Sequence, residues 1–232
     1  INRGEILALM GRNGAGKSSL LKTISGQIGN YAGKLKVDGK NPVDLVGREL
    51  VDLIGFVPQE PSDLFYSNSV AQECAMADLD NKLIEGTTAK TLHSLSNQIR
   101  LDLHPRDLSE GQKLILAISI VLATKPRILI LDEPTRGLDY QAKDILIGIL
   151  RKLAKQGTTI VMATHDVELV AEFASRVLVL AEGELISDGP TVEVLTASPA
   201  FAPQMAKVFS NQNWLTVNDV ISADIDFKGK NA

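Results

Sequence analysis

Short continuous apolar runs recur along this chain, each closed by polar or turn-forming residues. EILALM (5–10), LIGFVP (53–58), RILILDEP (127–134) and TTIVMATHD (158–166) carry no polar residue on either face through their middles, the pattern of strands covered on both sides. KLKVDG (34–39) is predicted as a short strand ending in an Asp-Gly turn, and RVLVLAEGELIS (176–187) as a hairpin turning at Glu182-Gly183. Between these runs the apolar period lengthens. SSLLKTIS (18–25), SVAQECAMADL (69–79), AKTLHSLSNQI (89–99) and EGQKLILAISIVLAT (110–124) space their apolar residues as helices do, the last ended by Pro126. LTVNDVISA (215–223) adds a helix capped by Thr216 with Asp219 behind it. Strands alternating with helices predict an α/β fold with a mainly parallel sheet, and residues 69–100, without strand signals, predict a helical insert.

The junction of the first strand and first helix is G-x-x-x-x-G-K-S, at Gly11, Gly16, Lys17 and Ser18. Gly14 and Gly16 let the backbone turn its N–H groups inward around an anion. Lys17 can reach terminal phosphates, Ser18 can offer its hydroxyl to a magnesium ion, and the helix N-terminus favours negative charge. The phosphate site is therefore read as Gly11, Arg12, Asn13, Gly14, Ala15, Gly16, Lys17, Ser18 and Ser19. At the end of LILDEP, Asp132 is expected to hold Mg²⁺ as the acidic partner of Ser18, and Glu133 to polarise a water for in-line attack. Ser109 and Gln112 in DLSEGQ form a capping box, and the serine hydroxyl with the bare amide of Gly111 makes a second anion site.

Composition narrows the partners. With 24 basic and 28 acidic residues the net charge is −4, which leaves no broad basic face for nucleic acid. The single Cys74 excludes an internal disulfide and any metal-thiolate cluster. The longest apolar run, 114–123, is too short to span a bilayer, so a membrane role must come through a partner.

The motifs GRNGAGKSS, VPQEP, LSEGQ, LILDEP, GLD (137–139) and THD (164–166), in this order, resemble the ATP-binding-cassette (ABC) ATPases over nearly the whole chain. The resemblance implies a P-loop NTPase core with a mainly parallel sheet, a helical insert and a smaller antiparallel portion. It implies ATP and Mg²⁺ as ligands, and a head-to-tail dimer whose sites pair one phosphate loop with the other cassette's signature helix. By the same carry-over Gln59 senses the γ-phosphate and Mg²⁺ and hinges the insert, Asp139 lies at the dimer seam, and His165 contacts the γ-phosphate. His93 and His104 lack such context and read as surface residues. QEPSDLF, HPRDLSEGQ, DEPTRGLDY and SPAFAPQMAKVF are similar to the ATPase subunits of energy-coupling-factor (ECF) importers, particularly the form with two cassettes in one polypeptide.

That likeness implies uptake of a vitamin or metal ion, a transmembrane coupling subunit, and a place on the cytoplasmic face of the cell membrane. The expected organisation is a nucleotide-binding core over 1–58 and 113–190, an insert over 59–112 with the glutamine hinge and signature, and a tail over 191–232. The first strand and adenine-stacking aromatic of the family are expected to be missing upstream of Ile1, as in an excised half of a fused protein. Two residues depart from the family pattern: Glu110, an acid within the signature, and Arg136, a bulky cation before GLD. Leu64, Phe65 and Tyr66 follow the hinge in an exposed loop, where Phe65 and Tyr66 are expected to face solvent. The competing readings are a non-transport ABC ATPase and a nucleotide-binding regulator with weak hydrolysis. A coiled-coil chromosome ATPase is disfavoured by the roughly fifty residues between Gln59 and Ser109, which hold no sustained heptads. A ribosome-binding cassette is disfavoured by the net charge.

Overall fold

The computed structural model describes residues 1–229 except 30, 199, 200, 210, 211 and 213. Pro199 and Ala200 of the SPAFAPQMAKVF phrase, and the tail beyond 229, lie outside the described residues. In chain order the elements are β1 (Ile6–Met10), α1 (Lys17–Ile24), α2 (Arg48–Val51), β2 (Ile54–Val57), α3 (Val70–Asp80), α4 (Thr87–Leu95), α5 (Glu110–Leu122), β3 (Ile128–Asp132), α6 (Tyr140–Lys155), β4 (Thr159–Ala163), α7 (Val167–Phe173), β5 (Arg176–Ala181), β6 (Glu184–Pro190), α8 (Thr191–Ala197), α9 (Gln204–Val208) and α10 (Val217–Gly229).

The chain divides into two compact units. The first holds Ile1–Glu5 and Lys17–Ala163. In it β2, β3 and β4 run parallel, with Phe56 opposite Ile130 and Ile130 opposite Val161. Leu129, Ile130, Leu131, Ile160 and Met162 are fully buried, as unbroken apolar runs require. Helices α3, α4 and α5 enclose a cluster built on Val70, Cys74, Leu92, Leu108 and Leu116. The second unit holds Ile6–Gly16 and Thr164–Ala232. There β1 pairs parallel with β5, and β5 pairs antiparallel with β6 across the Glu182-Gly183 turn. Ala8, Met10, Val170, Val177, Leu195 and Leu215 form its core, so α8 and the segment before α10 pack with the strands. Thr216 caps α10 and Asp219 reciprocates, as expected.

Three expectations change. KLKVDG is not a strand: Val37 and Lys40 exchange hydrogen bonds across Asp38 (φ 50) and Gly39 (φ 80), one isolated bridge. The Asp-Gly turn forms, but a strand needs a neighbouring ladder, and none pairs with 34–36 among the described residues. The helix expected over 89–99 begins earlier and ends at Leu95. Its first N–H groups, of Thr87 and Thr88, donate to the buried carboxylate of Asp78 on α3, at 3.0 and 2.9 Å. Ile99 then enters the same core from beyond the helix. Phe65 packs half-buried against the insert core, because the short 3-10 turn Pro61–Leu64 rolls its ring inward, while Tyr66 alone is left 88% exposed.

Candidate functional site

The phosphate-loop backbone lies in the second unit. A Cβ at Gly11 would sit 2.3 Å from the Leu180 carbonyl oxygen, so the chain can leave β1 along β5 only at glycine. Gly14 (φ 84) and Gly16 (φ 99) take the left-handed turns that expose the loop's amides. The Ala15 carbonyl accepts from the Gly183 N–H at 3.2 Å, pinning the loop to the β5–β6 turn. Arg12 and Asn13 are exposed and Ala15 is buried. His165 is exposed, between buried Thr164, whose N–H donates to the Leu9 carbonyl at 3.1 Å, and Asp166, which caps α7.

The charged residues lie in the first unit. Lys17 opens α1 with only 6% exposure, and its Nζ is 3.4 Å from Glu133 Oε1. Ser18, half-buried, and Ser19, exposed, follow on the first turn. Asp132 ends β3 at 3% exposure, and its Oδ1 has no hydrogen-bond partner among the described residues. A buried acceptor left unsatisfied costs about 1–3 kcal/mol, more when charged. An oxygen-coordinated divalent cation would satisfy it, so the donor set of Asp132 and the Ser18 hydroxyl fits Mg²⁺. Glu133 adopts φ 48, a conformation costing a non-glycine residue about 1–3 kcal/mol, while its N–H donates to the Ala163 carbonyl at 2.9 Å.

The signature helix also lies in the first unit. Ser109 accepts from the Gln112 N–H, and Gln112 Oε1 accepts from the Ser109 N–H at 3.0 Å, completing the expected capping box. Gly111 has a packing reason as well: a Cβ there would meet that of Ala142 on α6 at 3.1 Å. Glu110 receives Lys113 Nζ at 2.7 Å, so its charge is partly neutralised within its own helix. Gln59 is exposed just after β2, and with Glu110 and Gly137 it lines one hollow of about 190 Å³. Arg136 pairs with Glu60 at 3.0 Å, tying the segment before GLD to the residue after Gln59. Asp139 caps α6, accepting from the Ala142 N–H at 2.8 Å. His93 is exposed, as expected, but His104 is half-buried and its Nδ1 accepts from the Arg106 N–H. Glu60 and Lys113 were not singled out in the sequence. The i,i+3 spacing of Glu110 and Lys113 is visible there, but nothing local links Glu60 to Arg136.

A β-strand running into a glycine loop, a buried lysine–glutamate pair and a capped signature helix are the parts of an ATP-binding cassette. The ABC transporter family profile matches residues 1–136, and the chain belongs to that family. A Streptomyces coelicolor relative, SCO2324, is 54% identical over 223 residues, covering 96% of this chain and 40% of its own length. The chain thus spans well under half of that relative. The energy-coupling factor transporter ATP-binding protein EcfA of Methanothermobacter thermautotrophicus is 38% identical over 201 residues, covering 84% of this chain and 64% of EcfA. Among solved structures, cbiO1 of Clostridium perfringens, described as part of the transporter complex cbiONQ, superposes with TM-score 0.74 at 35% identity, over 84% of this chain and 80% of that one. The cassette MJ0796, solved as a dimer with ADP and Pi, gives 0.73 at 27% identity, covering 82% and 87%. The fold is that of the P-loop ABC ATPases.

Proposed function

We infer that this chain is the ATP-binding and ATP-hydrolysing cassette of an ECF-type importer, driving uptake of a vitamin or metal ion through membrane partners. The observation that carries hydrolysis is the buried trio in one unit: Lys17 beside Glu133, with the unsatisfied carboxylate oxygen of Asp132. The likeness to EcfA and cbiO1 supports the importer class. In this reading the amides of residues 11–16 and the Lys17 ammonium bind the β- and γ-phosphates. Ser18 and Asp132, with Gln59, would hold Mg²⁺, which when bound neutralises phosphate charge. Glu133 accepts the proton of the attacking water as the new O–P bond forms and the bond to the β–γ bridging oxygen breaks. His165 orients the γ-phosphate. Ser109, Gly111 and Gln112 serve the nucleotide of a second cassette, fused or separate, with Asp139 at the seam.

The surface after Gln59 is the proposed seat of the transmembrane subunit, which places the cassette on the cytoplasmic face of the membrane. Leu64, Tyr66, Met76 and Ile120 line a groove of about 480 Å³ there, with Tyr66 projecting. The deciding experiment is Mg²⁺-dependent ATPase activity of the chain and of Glu133→Gln. The variant should bind ATP and lose steady-state turnover. Turnover above about a tenth of the unsubstituted rate would remove Glu133 as the base, and absence of ATP binding by the unsubstituted chain would favour a different class altogether.

A further inference from the structure

Within the first unit, a cavity of about 460 Å³ opens among α4, α5, α6 and the segment leading into β4. Among the described residues, four cationic side chains line it, Arg3, Lys125, Arg127 and Lys152, and no carboxylate does. Arg127 is paired with Asp38, whereas Arg3, Lys125 and Lys152 make no ion pair with any described residue. The wall between the cations is apolar: Leu122 and Ile149 are buried, and Leu95 and Leu153 half-buried. In a chain of net charge −4, this grouping of cations around one apolar-walled cavity is a local reversal of the overall charge.

Helix termini account for part of the arrangement. Lys152 lies in the last turn of α6 and Lys125 follows the end of α5, where cations stabilise the helix dipole. Arg3 and Arg127 belong to no helix, so that role does not explain them. The same termini select among anions. Carbonyl ends of α4, α5 and α6 border the cavity, and because their repulsion grows with the charge an anion carries, they oppose a compact polyanion such as a phosphate cluster more than a single negative charge. A single carboxylate on an apolar body suits both the cations and the wall, and the volume is that of a small-ligand pocket.

We propose that this cavity is a binding site for an amphipathic organic carboxylate, separate from the nucleotide site. Anilinonaphthalene sulfonate, an apolar anion, is the reporter probe, with decanoate, decanol and inorganic phosphate as competitors against the full chain. The probe should bind, and decanoate should displace it at a concentration about tenfold lower than decanol does. The double variant Lys125→Glu/Lys152→Glu, at exposed positions, should weaken the probe and decanoate about tenfold or more. Its ATP affinity should be unchanged. Equal displacement by decanol would reduce the site to apolar contact, and displacement by phosphate at the decanoate concentration would make it a plain anion site. Unchanged binding by the double variant would place the probe elsewhere. Each of these three results overturns the proposal. Lys125→Gln/Lys152→Gln, which adds no new charge, repeats the comparison if the glutamate variant unfolds.

Discussion

Glu133 combines a left-handed backbone with a buried ion pair to Lys17, and each has a separable consequence. Replacing the carboxylate with an amide keeps shape but removes the Glu133 charge 3.4 Å from the Lys17 ammonium, one anion that competes with phosphate for it. Glu133→Gln is therefore expected to bind ATP at least as tightly as the unsubstituted chain, measured calorimetrically. Lys17→Ala leaves the phosphates without that cation and should lose measurable binding. If Lys17→Ala bound ATP unchanged, the phosphate-loop assignment would fail. Cys74 makes a second prediction at this scale. Burial, then the nearby Asp78 and Glu73, push its thiol from the ordinary 9.0 up to about 11. Its folded pKa is raised, so its contribution is fully present below pH 9 and is lost as pH rises toward 11, where the unfolded chain has already released its proton. Cys74→Ser should remove that component of the alkaline loss of stability in urea titrations between those pH values. Iodoacetamide should label native Cys74 far more slowly at pH 8 than the urea-unfolded chain.

At the level of elements, α4 depends on a residue outside itself. Gly86, left-handed, offers no side-chain cap, and the Asp78 carboxylate takes the Thr87 and Thr88 amides and the Thr88 hydroxyl. Asp78→Ala leaves buried donors unsatisfied and should lower unfolding free energy by about 2–3 kcal/mol in urea titration. Local spacing could place a helix in this stretch but not its ends, because its cap comes from α3. In α5 the reverse holds. The Ser109–Gln112 box is written in four consecutive residues, and the helix starts where they say. KLKVDG shows a third case, in which alternation and turn residues are right yet no strand forms without a paired neighbour.

Across the molecule, the prediction concerns the surface after Gln59. The aromatic pair expected in solvent is split, with Phe65 half-buried against the insert core and Tyr66 outside, so of the two Tyr66 is the one that projects toward a partner. Tyr66→Ser should leave melting temperature and basal ATPase unchanged while reducing co-purification with the proposed transmembrane subunit. Phe65→Ser should destabilise the insert by about 2 kcal/mol or more through a lost core side chain. Equal behaviour of the two variants would refute the division of roles.

The motifs of the nucleotide site were legible in the residues themselves. The proposed phosphate contacts are backbone amides, one lysine and one serine in consecutive positions, and the acidic pair ends an apolar strand, so spacing alone carries that proposal. Family, fold class and the capped signature helix follow from equally local patterns. Contacts between residues distant in sequence had no such signal. The Glu133–Lys17 pair, the Arg136–Glu60 link, the Asp78 cap, the burial of Phe65 and the basic cavity around Lys125 and Lys152 each join side chains from separate segments. Periodicity records which face of an element is apolar, but which distant side chain meets that face is set by packing of the folded chain.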